Sequence, residues 1–299
     1  MKRILLTGAF GTLGEAIREV GQDQYEFVCV DRIVPEGNPQ APLDVTDKKA
    51  VIAAAEGCDA IIHTAFFRTP WKPSKEAEAN ERFYHVNTIG TDNIFQAARV
   101  HQIPRVVVSS SMEVTIGTSW GAGGLGVIDE QSPPRLDSLY NLNKRLMETV
   151  ASFYYQTAGI TGCCLRYMEF SRNNRMKLGY ALLARSLWRN DVARANLLAV
   201  ESDRITCEPI NIGPQTPLTN ADVLESFTDY DGVVEKHFPG ATKLLEEAGR
   251  SYGRAALWPV AKIDRARALL GWEPQWTFQT LLEALRAEAE APAPVASRD

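Results

Sequence analysis

TGAFGTLG at 7–14 stands directly after the apolar run RILL at 3–6 and opens a segment, 12–20, whose apolar residues recur at helical spacing. Three glycines on a strand-to-helix turn have separate uses. Gly8 makes the tight turn, Gly11 lets the backbone approach a pyrophosphate, and Gly14 lets the helix pack close to the strand. A plain strand-to-helix turn is the competing reading. Asp31, which closes the second apolar run FVCV at 27–30, weighs against it, because an acid at that place bonds both ribose hydroxyls of a dinucleotide. A carboxylate there also repels the extra phosphate of NADP. The reading is therefore NAD rather than NADP, and neighbouring Arg32 is the feature that leaves room for the phosphorylated form.

Working outward, further short apolar runs occur at 60–62 (AII), 105–108 (RVVV) and 161–167 (TGCCLRY), none with polar alternation. Such runs suit strands buried on both faces of a parallel sheet. Between them, 12–20, 47–56, about 80–101 and 138–158 carry apolar positions three and four apart, so the chain predicts βαβ units and a doubly wound α/β sheet. Residues 1–167 form the dinucleotide-binding domain in this reading. Residues 168–286 form mainly a substrate lobe with segments returning to the core, its 168–262 part lacking clean periodicity. The stretch AEAEAPAPVASRD at 287–299 reads as a disordered tail.

With 299 residues, 45% hydrophobic and 23% charged, the chain has the composition of a soluble globular protein. A net charge of −5 offers no basic footprint for nucleic acid or an anionic membrane surface, so a small molecule is the expected partner. No apolar stretch approaches a membrane span or a signal-peptide core, which places the protein in the cytoplasm. Five cysteines show no zinc spacing and their odd number opposes a disulfide framework; they read as small buried hydrophobes. The four histidines are scattered, so no metal is assigned.

The chemistry lies in YNLNK at 140–144. Tyr140 and Lys144, four apart, project from one helix face toward a common site. A free tyrosine has a pKa of about 10 and is a poor base near neutrality, but a neighbouring ammonium and an oxidised nicotinamide ring favour the phenolate. Tyr140 can then take the proton of an alcohol while hydride leaves the same carbon, and act as the acid in reverse. A surface Tyr–Lys pair on an exposed helix would look the same in isolation. The serines 109–111, at the carboxyl end of a central strand, add hydroxyls where open α/β sheets bind ligands, but spacing does not say which serine reaches the substrate.

Taken with LDVTD at 43–47, HTA at 63–65, HVNTIGT at 85–91, LRY at 165–167 and LLGWEPQWTFQTLLEALR at 269–286, these motifs resemble the extended short-chain dehydrogenase/reductases, the NAD-dependent sugar epimerase/dehydratase family, over residues 1 to about 286. The resemblance implies a Rossmann-type doubly wound parallel sheet with a smaller C-terminal substrate lobe. It implies that Gly8, Phe10, Gly11, Thr12, Leu13 and Gly14 hold the dinucleotide with Asp31 and Arg32. It makes Asp44 and Val45 adenine contacts, and Thr64, Ala65, Asn87, Ser109, Tyr140, Lys144 and Tyr167 the further lining of the cofactor. Ser111 becomes the catalytic hydroxyl beside Tyr140 and Lys144. A homodimer joined through the two long helices is also implied.

Departures from the family pattern bear on the substrate. Dehydratases of this family place an Asp-Glu pair after the catalytic hydroxyl; here Met112-Glu113 stands there, and a thioether donates no proton, so elimination of water is disfavoured. LRYMEF puts Glu169 where nucleotide-sugar epimerases place an amide near a diphosphate. That carboxylate is repulsive unless Arg172 or Arg175 neutralises it. Arg68, Glu113, Glu169, Arg172 and Arg175 are the candidate substrate residues, and the arginines are able to clamp a carboxylate or phosphate. PPRLDSLYNLNK also looks like the corresponding stretch of uronate dehydrogenases. The expectation is net hydride transfer between NAD and an alcohol or ketone of a sugar-like substrate. An epimerase with retained cofactor uses the same residues, and a non-catalytic dinucleotide-binding sensor or scaffold is the reading from another class.

Overall fold

The computed structural model describes residues 1–38, 40–67, 76–116, 127–171, 174–254, 257 and 260–290. Strand and helix alternate through β1 (Lys2–Thr7), α1 (Thr12–Gly21), β2 (Tyr25–Val30), α2 (Lys48–Ala54), β3 (Ala60–His63), α3 (Glu76–Tyr84), a π-helical turn (His85–Ile89), α4 (Gly90–Val100), β4 (Arg105–Ser111), α5 (Glu113–Ile116), α6 (Leu139–Ala158) and β5 (Thr161–Tyr167). Then come β6 (Glu169–Ser171), β7 (Ser186–Trp188), α7 (Arg189–Glu201), β8 (Pro209–Ile212), α8 (Asn220–Glu225), α9 (Tyr230–His237), α10 (Ala241–Glu247), α11 (Asp264–Leu270) and α12 (Phe278–Glu290). Among the described residues no helix is long and apolar enough to cross a membrane.

Six parallel strands form the main sheet in the order β2-β1-β3-β4-β5-β8. The chain leaves β1 toward one edge and returns on the other side, which opens a crevice at the carboxyl ends of β1 and β3. Side chains alternate between two layers. Ile4, Leu6, Val107, Leu165 and Ile210 pack with Ile17 of α1, Val192 of α7 and Ala266 of α11. Leu5, Ile61, Val106 and Val108 pack with Val51 of α2, Ile94 and Phe95 of α4, and Met147 and Ala151 of α6. Burying each such Ile or Leu contributes about 1.5–3 kcal/mol, so these two layers fix the sheet on which the site rests. Even the adjacent Cys163 and Cys164 divide between the layers, as small buried hydrophobes.

The structure corrects the reading in two places. The helix expected at about 80–101 begins at Glu76 and is interrupted by the π-helical turn His85–Ile89, closed by the Gly90 N–H donating to the His85 carbonyl. There the Asn87 carbonyl accepts from Thr91 Oγ1 at 2.6 Å, and the Asn87 amide is buried. The expected tail is helical for its first four residues, since α12 runs to Glu290; Ala and Glu sustain a helix once started. Residues 291–299 lie outside the described residues. Within 168–286 the segments that return to the main sheet are α7 and β8, and a separate core forms around Tyr180, Val234, Phe238, Trp276 and Phe278.

Candidate active site

The glycine turn closes against the loop after β3. Gly8 has φ +69°, and a Cβ there would lie 2.7 Å from the Ala65 backbone nitrogen; one on Gly14 would lie 2.3 Å from the Gly8 carbonyl oxygen. Both positions require glycine. Gly11 caps α1 with no side-chain bond of its own, and Glu15 stands in the first turn of the helix. At the end of β2, Asp31 accepts from the Phe10 N–H at 3.0 Å and the Ile33 N–H at 3.1 Å. A glycine turn at a helix N-terminus beside a fixed carboxylate fits a dinucleotide. Leu13 is buried beneath the turn, and Arg32 stands exposed beside Asp31.

The lining expected after β2 and β3 divides into open and committed groups. Asp44 folds onto Thr46, accepting from its N–H at 3.0 Å and its hydroxyl at 2.8 Å. It borders a cleft of about 470 Å³ with Thr46, Arg82 and His85. Val45 turns its side chain into the core and its carbonyl accepts from Asn93 Nδ2 at 3.0 Å, so its side chain is not offered to a ligand. Thr64 Oγ1 donates to the Thr7 carbonyl at 2.8 Å, and the Ala65 N–H donates to Thr7 Oγ1 at 3.3 Å. Asn87 is fully buried; its Oδ1 accepts the Phe67 N–H at 2.8 Å and its Nδ2 donates to the Phe67 carbonyl at 3.1 Å. The amide thus holds the loop rather than open space.

His63 completes that support. Thr91 gives its hydroxyl proton to the Asn87 carbonyl, so His63 Nε2, 3.2 Å away, is the donor to Thr91 Oγ1; Nδ1 then accepts from Thr7 Oγ1 at 2.7 Å. Burial, then the charge on Lys144, pushes the imidazole pKa down to about 3 and keeps the ring neutral.

Tyr140 and Lys144 emerge from the first turns of α6. Ser138 caps this helix by accepting the Asn141 N–H at 3.0 Å, and Gly159, at φ +67°, ends it. Lys144 is 4% exposed and donates from Nζ to the Ser109 carbonyl at 2.7 Å. Tyr140 is half-buried. Ser111 ends β4 in register with Tyr167 of β5, and its hydroxyl accepts the Glu113 N–H at 3.2 Å. Ser109 Oγ lies 3.5 Å from Tyr167 Oη, whose proton goes to Asn196 Oδ1 at 2.9 Å, so the Tyr167 ring is committed to the core. Ser110, the middle hydroxyl, donates to Glu148 Oε1 at 2.7 Å. Glu148 also accepts Arg166 Nε at 2.7 Å and Nη2 at 2.8 Å. This buried clamp between α6 and β4–β5 has a sequence signal that the motif reading passed over, because Glu148 stands four residues beyond Lys144.

Of the candidate substrate residues, Arg68 and Arg172 lie outside the described residues. Met112 is buried with Ile128, Met168 and Ala261, so apolar packing fills its place. Glu113 begins α5; burial pushes its carboxyl up, Arg135 and Arg185 oppose the shift, and Asp137 adds to it. Glu169 is exposed on β6, in register with Ser186. Arg175, also exposed, lays its guanidinium 4.3 Å from the Trp276 ring centre and 5.1 Å from that of Trp188. Trp276 is held in turn by Asp191, whose carboxylate accepts the Gln275 N–H at 2.8 Å and the Trp276 N–H at 2.9 Å. No motif had marked Asp191.

The profile of the NAD dependent epimerase/dehydratase family matches residues 4–174. A uronate dehydrogenase of Pseudomonas putida is 35% identical over 170 residues, covering 55% of this chain and 59% of that protein's length. A uronate dehydrogenase of Pseudomonas syringae pv. tomato is 30% identical over 218 residues, covering 68% of this chain and 75% of that protein. Among solved structures, a mutated uronate dehydrogenase superposes with a TM-score of 0.65 at 25% identity, over 98% of this chain and 88% of the other.

Proposed function

Because this chain belongs to the NAD dependent epimerase/dehydratase family, we propose that it oxidises a hydroxyl of a sugar acid, with Tyr140 as acid–base, Lys144 holding the phenolate and Ser111 orienting the alcohol. The observation that carries this reading is the buried Lys144 ammonium, fixed to the Ser109 carbonyl one helical turn from Tyr140. When bound, NAD supplies the hydride acceptor. The chain's own residues handle the proton. Tyr140 Oη takes it from the substrate hydroxyl, and the ammonium stabilises the negative charge that Oη carries before the transfer. Ser111 Oγ donates toward the reacting oxygen and sets its distance from Oη. The glycine turn and the N-terminus of α1 would hold the pyrophosphate, and Asp31 would hold the ribose.

A sugar acid fits the remaining groups better than a nucleotide sugar. Arg175, spread over two indoles, offers a pre-oriented partner for one carboxylate. Exposed Glu169 repels a diphosphate unless Arg172 or Arg175 neutralises it. Buried Met112 supplies no proton for elimination, which argues against dehydration. A second copy of the chain packs, on the same reading, against α4 and α6, where Val100 and Phe153 are 54% and 56% exposed. Sedimentation velocity reads that assembly directly; a sharp monomer at micromolar concentration removes it.

The test of the activity is a substrate panel with NAD and with NADP, followed at the reduced-nicotinamide absorbance. Glucuronate and galacturonate should yield NADH, whereas UDP-glucose should not. Net epimerisation of a nucleotide sugar by protein that retains its dinucleotide through purification would overturn the reading in favour of an epimerase.

A further inference from the structure

One aromatic ring touches both members of the proposed acid–base pair. Lys144 Nζ lies 3.7 Å from the centre of the Phe66 ring, and that ring meets the Tyr140 ring at 5.4 Å and 75°, edge to face. Phe66 is held there from two sides. Phe83, 2% exposed, meets it at 5.4 Å and 88°, and the backbone of Phe67 is bonded through both its N–H and its carbonyl to the buried Asn87.

We infer that Phe66 is a positioning residue for the reaction, its ring holding the Lys144 ammonium and the Tyr140 phenol in their working arrangement before either ligand binds. This rests on the roles given above to Tyr140 and Lys144. A buried ammonium has lost most of its water. The Ser109 carbonyl satisfies one N–H, and the electron-rich face of Phe66 supplies attraction from another direction. A lysine side chain has many rotamers, and a carbonyl and a ring face together select one. The edge-to-face contact does the same for the phenol, limiting rotation of the Tyr140 ring. An aliphatic side chain of similar volume fills the space but has no negative face. Sequence gives no hint of this contact, since Phe66 and Lys144 meet only when the loop after β3 is laid against α6.

The experiment replaces Phe66 with Leu and, separately, with progressively fluorinated phenylalanines, which keep the shape of the ring while draining charge from its face. Three quantities are read: the side-chain NMR signal of Lys144 in lysine-labelled protein without cofactor, kcat and KM for glucuronate oxidation with NAD, and Tm. In the parent the Lys144 signal should be displaced by the Phe66 ring current, and the displacement should vanish in Phe66→Leu. The kcat should fall stepwise along the fluorine series and about tenfold in Phe66→Leu, with Tm of the fluorinated proteins unchanged. Parent-like kcat throughout the fluorine series, or a parent Lys144 signal without displacement, overturns the inference. If the parent oxidises no sugar acid, the proposed function fails by itself, and the Lys144 signal then decides the role of Phe66 alone.

Discussion

Asp31 carries a charge whose place is set by two backbone amides, those of Phe10 and Ile33, so the carboxylate cannot swing away from a ligand without breaking a bond. For that reason Asp31→Ala should raise the ratio of kcat/KM with NADP to that with NAD by about tenfold, the effect of relieving one like-charge contact of about 1.4 kcal/mol. An unchanged ratio, measured with one sugar acid and both cofactors, would remove Asp31 from cofactor selection. Residues that act through local spacing were legible in the chain. Gly8, Gly14 and Asp31 could be read because they stand at fixed places on the first strand-turn-helix-strand unit, and Tyr140 with Lys144 because a helix makes four-apart positions adjacent. Phe66 and Asp191 could not, since each works on a partner brought in by tertiary approach. At Val45 the side chain packs in the core against Gly90, where an added Cβ would lie 2.6 Å away, a contact that local spacing does not announce.

Along α6 the same face carries Tyr140, Lys144 and Glu148, so whatever fixes Glu148 also fixes the register of the two residues before it. Burial pushes the Glu148 carboxyl up, but the bonds from Arg166, then Ser110 and Arg145, outweigh it and hold the pKa below the ordinary carboxylate value. The sign follows. A depressed pKa means that the native state binds the proton less readily than the unfolded chain, so the stabilisation is complete above an unfolded pKa of about 4.3 and is lost as pH falls through the lower native value. Thermal melts from pH 7 to pH 3 should therefore steepen below about pH 4.5. In Glu148→Leu combined with Arg166→Met, which removes both charges together, that part of the slope should be absent; an identical slope in parent and double variant would contradict this account of the clamp. Helix α6 was legible nearly to its ends, from the cap Ser138 to Gly159. The preceding long helix was not, because the spacing of apolar residues carries no mark of the π-helical turn His85–Ile89.

At the scale of the molecule the two regions differ in how they announce themselves. The sheet could be read because each strand is a short apolar run and each helix has a periodic face. The lobe could not, because α7 and β8 rejoin the sheet from a stretch without clean periodicity, and the final segment is docked by buried Trp272, whose indole donates to the Asp191 carbonyl at 2.9 Å. That docking carries Trp276 to Arg175, and so links the closing segment to the place where a substrate carboxylate is expected. On the proposed reading, cofactor cradle, acid–base pair and carboxylate partner come from three separate parts of the chain. Their joint use depends on the phenol of Tyr140, which can be removed by a single oxygen. The most direct measurement compares the parent with Tyr140→Phe for NADH formation from glucuronate, with NAD affinity measured by calorimetry on both. The account predicts a kcat lower by about 10²–10⁴-fold and an NAD affinity within a few-fold of the parent. A Tyr140→Phe protein that turns over at the parental rate would contradict it.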